Sequence, residues 1–196
     1  MARELLGTVI VSHVGGALVA GVIVETEAYL GSDDPGSHAA TKGVTARNGV
    51  MYGCPGHAYV YFTYGSHHML NLVTEVEGTA GAVLVRAIEP VAGTDVMCAR
   101  RGGRAGVDLT NGPGKVAQAL GVDLAHNGVA LGEEIVVYDG PGVTDLGVVI
   151  TGRVGLTDGH DLPLRFYIKD NACVSKGRTG PRASRRRRSP GAEETG

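Results

Sequence analysis

Two runs decide how this chain is read: Gly7-Thr-Val-Ile-Val-Ser12, and, after Gly15-Gly16, Ala17-Leu-Val-Ala-Gly-Val-Ile-Val-Glu-Thr-Glu-Ala28. β-Branched runs on either side of a glycine pair predict an opening hairpin, because glycine takes the positive φ of a tight turn without a Cβ clash. Ideal alternation over residues 22–29 places Ile23, Glu25, Glu27 and Tyr29 on one face, with Val22, Val24, Thr26 and Ala28 on the other. Two carboxylates and a phenol therefore share a surface. An isolated Glu-Thr-Glu would most often be a solvated outer face, so the rest of the sequence has to decide whether these carboxylates do chemistry.

Working outward, further apolar runs at 57–64, 69–74, 82–88, 134–138, 147–154 and 164–168 read as strands, and the 32 glycines punctuate them. Helical patterns are few. Thr94 is expected to cap a short helix reaching Arg101, and Asn111-Gly-Pro-Gly-Lys115 to open another that stops near Gly121, with Pro113 in its first turn. The expected fold is α+β: a single domain with a mainly antiparallel curved sheet, a few helices and a protruding β-hairpin.

With 196 residues, 43% of them hydrophobic, the chain can bury one core without metals or disulfides. Cys54, Cys98 and Cys173 are odd in number and form no Cys-x-x-Cys pair, so neither a disulfide framework nor a zinc site is signalled. No run approaches the ~18 apolar residues of a membrane span, and the N-terminal residues lack a secretion pattern. A soluble cytoplasmic monomer needing no cofactor is expected. Residues 1–175 hold 11 of the 18 Lys and Arg but 18 of the 20 Asp and Glu, a net charge of −7. That opposes a phosphate-backbone partner, unless a local basic patch supplies the attraction. From Lys176 onward apolar residues nearly vanish and Arg185 to Arg188 form a charge run. Residues 176–196 are therefore expected to be a disordered basic tail on a 1–175 domain, with the run adding non-specific DNA affinity.

The aromatic residues alter the odds on the acidic strand. There is no Trp and there are only two Phe, yet five of seven Tyr (Tyr29, Tyr52, Tyr59, Tyr61, Tyr64) fall between residues 29 and 64. Tyrosine supplies a flat stacking face with a polar handle, where a core would use Phe and Leu. His38, His57, His67 and His68 share the region, but their spacing matches no metal motif. Rings that sandwich a planar ligand beside a carboxylate suit a nucleobase, and a cationic base gains further from cation–π attraction.

At these residues the sequence resembles the alkyladenine (3-methyladenine) DNA glycosylases, as a bacterial member. The matching runs are Val24-Glu-Thr-Glu-Ala-Tyr-Leu-Gly31, His38, Arg47-Asn48, Met51, Pro55-Gly56, Tyr59-Val-Tyr61, Tyr64-Gly65 and Asn71. They continue with Leu84-Val-Arg-Ala-Ile-Glu-Pro90, Gly112-Pro-Gly-Lys115, Arg153-Val-Gly155 and Pro163-Leu-Arg-Phe-Tyr167. The resemblance implies a base-excision repair enzyme acting on double-stranded DNA near the nucleoid. It would flip 3-methyladenine, 7-methylguanine or hypoxanthine and hydrolyse the N-glycosidic bond. By the same resemblance Glu27 is the water-activating base, and Arg86 and the backbone carbonyl of Val154 hold the water. Tyr29, His38 and Tyr61 stack on the base, Asn71 rejects guanine, Tyr64 intercalates from a hairpin tip, and Lys115 meets a phosphate at a helix start. No lysine is evidently placed as an amine nucleophile, so hydrolysis without strand cleavage is expected.

Two other readings remain open on the sequence. One is a non-catalytic damaged-DNA-binding protein on the same fold, which would have little use for Glu27 and Arg86. The other is a nucleoside or sugar hydrolase using Glu25 and Glu27 as paired carboxylates.

Overall fold

A computed structural model describes residues 1–63, 65–144 and 147–177, with residues 41 and 42 as backbone only. The opening hairpin forms as expected, with β1 (Val9–Ser12) antiparallel to β2 (Val19–Tyr29). Gly15 and Gly16 hold φ of 70° and 74° in the short 3-10 turn between them. The chain continues through α1 (His38–Lys42), β3 (Ala58–Thr63), β4 (His67–Val73), β5 (Ala82–Ala92), α2 (Thr94–Arg100) and α3 (Pro113–Leu120). It closes with β6 (Ile135–Tyr138), β7 (Val148–Thr151) and β8 (Arg165–Ile168). All pairings are antiparallel, in the order β3-β4-β5-β2-β1-β6. The domain is α+β, a curled sheet with few helices.

β2 is the spine of this sheet. Along one edge it pairs with β5 over nearly its whole length. Along the other it pairs first with β1, at residues 19–22, and then with β8, at residues 25–27. β8 carries β7 on its far side. Sheet alternation separates two environments. Ala58, Val60, Leu70, Leu72, Val83 and Val85 face the main core, which α3 covers with Val116, Ala117, Ala119 and Leu120 and α2 with Met97. Tyr59, Tyr61, Asn71, Leu84 and Arg86, the intervening residues of the same strands, face the other way and line a cavity.

Two expectations need correction. Between β2 and β5 the register passes from Ile23↔Ile88 to Glu25↔Ala87 to Thr26↔Val85, so Val24 is an extra residue on β2 and Arg86 an extra one on β5. A bulge bends its strand and breaks the alternation at that point. Ile23 consequently joins the main core, as does Ala28, whereas Val24 packs with Ala87 and Cys173. Ile23 does not share the face of Glu25, Glu27 and Tyr29. The second correction concerns α2, which Thr94 does not cap. Its N-cap is Gly93 in the left-handed region, φ 66° and ψ 31°, without a side-chain cap. α3 matches its expectation, with Pro113 in the first turn and Gly121 as a left-handed C-cap at φ 78°.

Among the described residues no helix is long and apolar enough to cross a membrane. Tyr64 and residues 178–196 of the expected tail lie outside the described residues. β3 and β4 do form a hairpin at the sheet edge, paired out to Thr63↔His67.

Gly93 joins β5 to α2 against β2, where an added Cβ would collide with the Leu18 carbonyl. Left-handed backbone costs an L-residue roughly 1–2 kcal/mol before any collision. Gly93→Ala should therefore lower the stability in urea denaturation by at least about 2 kcal/mol; a wild-type midpoint would show that this joint tolerates a side chain.

Candidate active site

The site is built around the bulge that brings Arg86 across to β2. Glu25 and Glu27 are both fully buried, and the Arg86 guanidinium lies between them. Its Nε donates to Glu25 Oε1 at 2.9 Å, its Nη1 to Glu27 Oε2 at 3.1 Å, and its Nη2 to Ser175 Oγ at 3.2 Å. Burial on its own would make Arg86 easier to deprotonate. The two carboxylates beside it act the other way and prevail, so it stays cationic.

The two carboxylates differ in how many partners they have. Glu25 accepts four hydrogen bonds, from Arg86 Nε, from Arg165 Nε at 2.7 Å, and from the amide and hydroxyl of Ser175 at 2.6 and 2.9 Å. Three of the four fall on Oε1, and one, from the Ser175 amide, falls on Oε2. Burial would raise its pKa, but Arg86, Arg165 and the Ser175 hydrogen bonds outweigh burial and hold it below the usual 4.5. Glu27 accepts three, from Tyr29 Oη at 2.9 Å, Arg86 Nη1, and the backbone N–H of Val154 at 2.7 Å. Oε2 takes two of these and Oε1 only one, so Oε1 keeps room for a further donor.

Arg86, Tyr29 and Val154, which hold Glu27, all line a cavity of about 290 Å³, close to the lower bound of roughly 300 Å³ for small-molecule sites. Aromatic rings line the cavity as well. His38 and Tyr61 meet edge to face with ring centroids 4.7 Å apart, and Tyr59 lies 5.4 Å from Tyr61. His38 Nδ1 bonds the Tyr59 hydroxyl at 3.0 Å. Burial pushes the Tyr59 phenol up to about 12, and burial together with the Glu27 charge pushes Tyr29 well above its ordinary value, so both remain neutral. Asn71, buried on β4, donates from its amide nitrogen to the Tyr59 carbonyl at 3.0 Å and lines the cavity.

The elements that carry these rings are pinned by neighbouring side chains. Asn48 Nδ2 donates to the carbonyls of His38 and Gly43, which fixes the segment bearing His38, and Arg47 sits 5.0 Å above the Tyr61 ring. Arg153 is fully buried, chelates both oxygens of Asp34, and donates to the Ala28 and Gly159 carbonyls. Its guanidinium lies 4.8 Å from the Tyr29 ring centre, a cation–π contact that fixes the ring.

The structure thus brings Arg86, Val154, Tyr29, His38, Tyr61 and Asn71 to one cavity, with Glu27 fully buried behind the first three of them. Lys115 stands apart. Pro113, at the start of its helix, borders the cavity, but the Lys115 ammonium is held by Asp108 at 2.5 Å and Asn111 at 2.7 Å. Sequence reading missed the parts played by Tyr59, Asp34, Arg153, Arg165 and Ser175. For Tyr59 the signal existed, since Tyr59-x-Tyr61 puts both rings on one strand face. Asp34, Arg165 and Ser175 lie 119, 140 and 150 residues from the partners they bind, and no local pattern announces such pairs.

Comparison with known proteins agrees with this geometry. The family model for methylpurine-DNA glycosylase matches residues 1–172. The chain is 48% identical over 178 residues to a Carboxydothermus hydrogenoformans protein named "Putative 3-methyladenine DNA glycosylase", covering 90% of this chain and 92% of that one. Proteins of the same name match from Prosthecochloris aestuarii, at 47% identity over 95% of this chain and 90% of theirs, and from Methanoculleus marisnigri, at 47% over 90% and 92%. The chain belongs to the methylpurine-DNA glycosylase family, DNA-repair hydrolases whose substrate is DNA.

The Glu25 cluster makes a testable contribution to stability. A carboxylate whose folded pKa is depressed adds stability above its unfolded pKa and loses it as pH falls through the folded value. Urea unfolding should therefore show wild-type stability declining as pH drops below about 4.5. Glu25→Gln, which leaves Arg165 without a counter-charge, should be weaker at neutral pH by about 3–5 kcal/mol and flatter in acid. Equal stability and an equal acid slope would remove Glu25 from this role.

Proposed function

We propose that the cavity receives a damaged purine swung out of duplex DNA and that Glu27 directs a water molecule at the sugar carbon bearing it. The observation that carries this reading is the different setting of the two buried carboxylates: Glu25 is bound by Arg165 and Ser175, which do not line the cavity, whereas all three partners of Glu27 (Tyr29, Arg86 and Val154) do, and its Oε1, bonded only by the Val154 N–H, keeps an acceptor position. A water donating to that position has its oxygen lone pair free for the anomeric carbon. As the C1′–N bond breaks, the base leaves with the bonding electrons, water oxygen bonds to C1′, and Glu27 accepts the water proton. Its negative charge also favours the positive charge that develops on the deoxyribose.

Arg86 has five N–H donors and spends three, so two remain to orient the water together with the Val154 carbonyl. Tyr29, His38 and Tyr61 would stack on the base, at roughly 1–3 kcal/mol per aromatic contact, which offsets the few kcal/mol of unstacking. Asn71, in the cavity lining, would crowd the exocyclic amine of guanine and so reject the normal base. Tyr64, between β3 and Gly65, would fill the gap left in the duplex. The substrates on this reading are 3-methyladenine, 7-methylguanine and hypoxanthine. The first two are cationic and leave readily, whereas hypoxanthine relies more on the site.

The paired-carboxylate reading loses its support, because Glu25 is fully buried and tied up by Arg86, Arg165 and Ser175, and the last two do not line the cavity. The proposal is tested with a duplex oligonucleotide carrying hypoxanthine or 3-methyladenine. Strand breakage should require both the protein and subsequent alkali, and no release from any lesion would reject the reading. Glu27→Gln should retain lesion binding and lose at least roughly 10²-fold in single-turnover rate; near-wild-type turnover would exclude Glu27 as the base.

A further inference from the structure

Glu27 can direct a water only if its carboxylate is held at one angle. Apart from Arg86, its partners are the Tyr29 hydroxyl on Oε2 and the Val154 N–H on Oε1. Both trace back to the same side chain. Arg153 precedes Val154 in the chain, so whatever anchors its guanidinium also sets where the Val154 N–H points. That guanidinium lies over the Tyr29 ring, 4.8 Å from its centre, and its Nη1 donates at 2.9 Å to the carbonyl of Ala28, the residue between Glu27 and Tyr29 on β2. One group thus touches the strand that carries Glu27 and the ring whose hydroxyl bonds Oε2. Through the backbone it also reaches the amide that bonds Oε1.

The anchor of this group is Asp34. Arg153 Nη1 meets Asp34 Oδ2 at 2.6 Å and Nη2 meets Oδ1, with both side chains fully buried. Pairing of a planar fork with a carboxylate fixes the orientation of the guanidinium as well as its position. Asp34 is held in turn by the N–H groups of Leu30 and Gly36, at 3.0 and 2.9 Å. Two glycines leave the space: an added Cβ on Gly36 would sit 2.6 Å from Arg153 Nη2, and one on Gly159 would sit 3.0 Å from it. Neither Arg153 nor Asp34 lines the cavity, so neither meets the substrate. A purely structural role is poorly served by this choice. An apolar pair of similar volume is often as stable as a buried ion pair, and here the Arg153 Nε–H has no hydrogen-bond partner among the described residues. What arginine supplies and an apolar side chain lacks is a set of directional bonds.

We propose that Arg153, locked by Asp34, is a positioning residue for hydrolysis: it holds Tyr29 and Val154 so that Glu27 Oε1 is aimed at the water. The proposal rests on the reading of Glu27 as the base that activates that water. Without the guanidinium the Tyr29 ring and the backbone at Val154 relax and the carboxylate turns with them. The alignment of base, water and sugar carbon is then lost, although every group that touches the substrate is still present. A misplacement of ~1 Å at a reacting group can cost about 10²-fold in rate.

The test uses three variants of the full chain: Arg153→Lys, Arg153→Met, and Arg153→Met combined with Asp34→Asn. Urea midpoints are measured, together with single-turnover release of hypoxanthine from duplex DNA over a range of protein concentrations, with rates corrected to the folded fraction. Arg153→Met leaves Asp34 buried without a counter-charge and should have the lowest midpoint, of which the added Asp34→Asn should recover a part. The rate should not recover with it. In all three variants the maximal rate should fall at least about tenfold, while the protein concentration giving half of it changes by less than about threefold, because no cavity-lining side chain is altered. Arg153→Lys keeps a positive charge beside Asp34, so it carries the comparison even if the Met variants do not fold.

A folded double variant, or a folded Arg153→Lys variant, with the wild-type maximal rate would overturn the proposal. A loss confined to the half-maximal concentration would overturn it too. Failure of the reading beneath it looks different: the wild-type chain would release no base, or Glu27→Gln would release it at the wild-type rate.

Discussion

A single guanidinium sets the character of this molecule. Arg86, displaced toward β2 by a matched pair of bulges, bonds Glu25 with one nitrogen and Glu27 with another. Two buried carboxylates so close together on one strand would repel each other and could not both stay ionised in a dry interior. Arg86 removes that conflict, and Arg165 and Ser175 complete the neutralisation of Glu25. Taking such a cluster out of water is costly, so it holds only if its lone pairs and protons find partners. Glu27 Oε1 accepts only the N–H of Val154, a residue that lines the cavity. The carboxylate proposed for hydrolysis is set apart from the structural one by its hydrogen-bond partners, since burial is the same for both.

The sheet gives this cluster its surroundings. Period-two alternation sends Val60, Leu70, Val83 and Val85 into a core covered by α3, and the intervening Tyr59, Tyr61, Asn71 and Leu84 into the cavity. Buried polar groups fasten the elements that carry two of its rings. Asn48 fastens the His38 segment, and the Arg153–Asp34 pair fastens the residues behind Tyr29. Arg153 Nε is the one buried side-chain polar atom among the described residues without a hydrogen-bond partner, a cost borne where the guanidinium is pressed against the Tyr29 ring. These contacts hold the rings that line the cavity in place.

Much of this is legible in the sequence because it is local. Strand positions follow from β-branched runs and glycine breaks, the α3 boundaries from Pro113 and Gly121, and the acidic face from alternation. Ideal alternation fails at Ile23, where the bulge at Val24 shifts the face by one residue. Nothing in Val-Ile-Val-Glu announces a bulge, since its cause is the fit of β2 against β5. α1 escapes a sequence reading because five residues hold too little periodicity to register, and its Ser37 cap looks like any turn serine. The ion cluster is half visible. Glu25, Glu27 and Arg86 can be singled out, but the difference between the two carboxylates resides in Arg165 and Ser175, which only the folded chain brings near.

The central claim is that Arg86 acts as a bridge, where a bare positive charge would not serve. Arg86→Lys separates the two, because an ammonium keeps the charge but cannot reach both carboxylates in the plane of a guanidinium. The decisive measurement is single-turnover base release by this variant, taken alongside its urea unfolding midpoint. Bridging predicts that both fall, the rate by at least about tenfold even when corrected to the folded fraction. A variant that releases the base at the wild-type rate with an unchanged midpoint would contradict it.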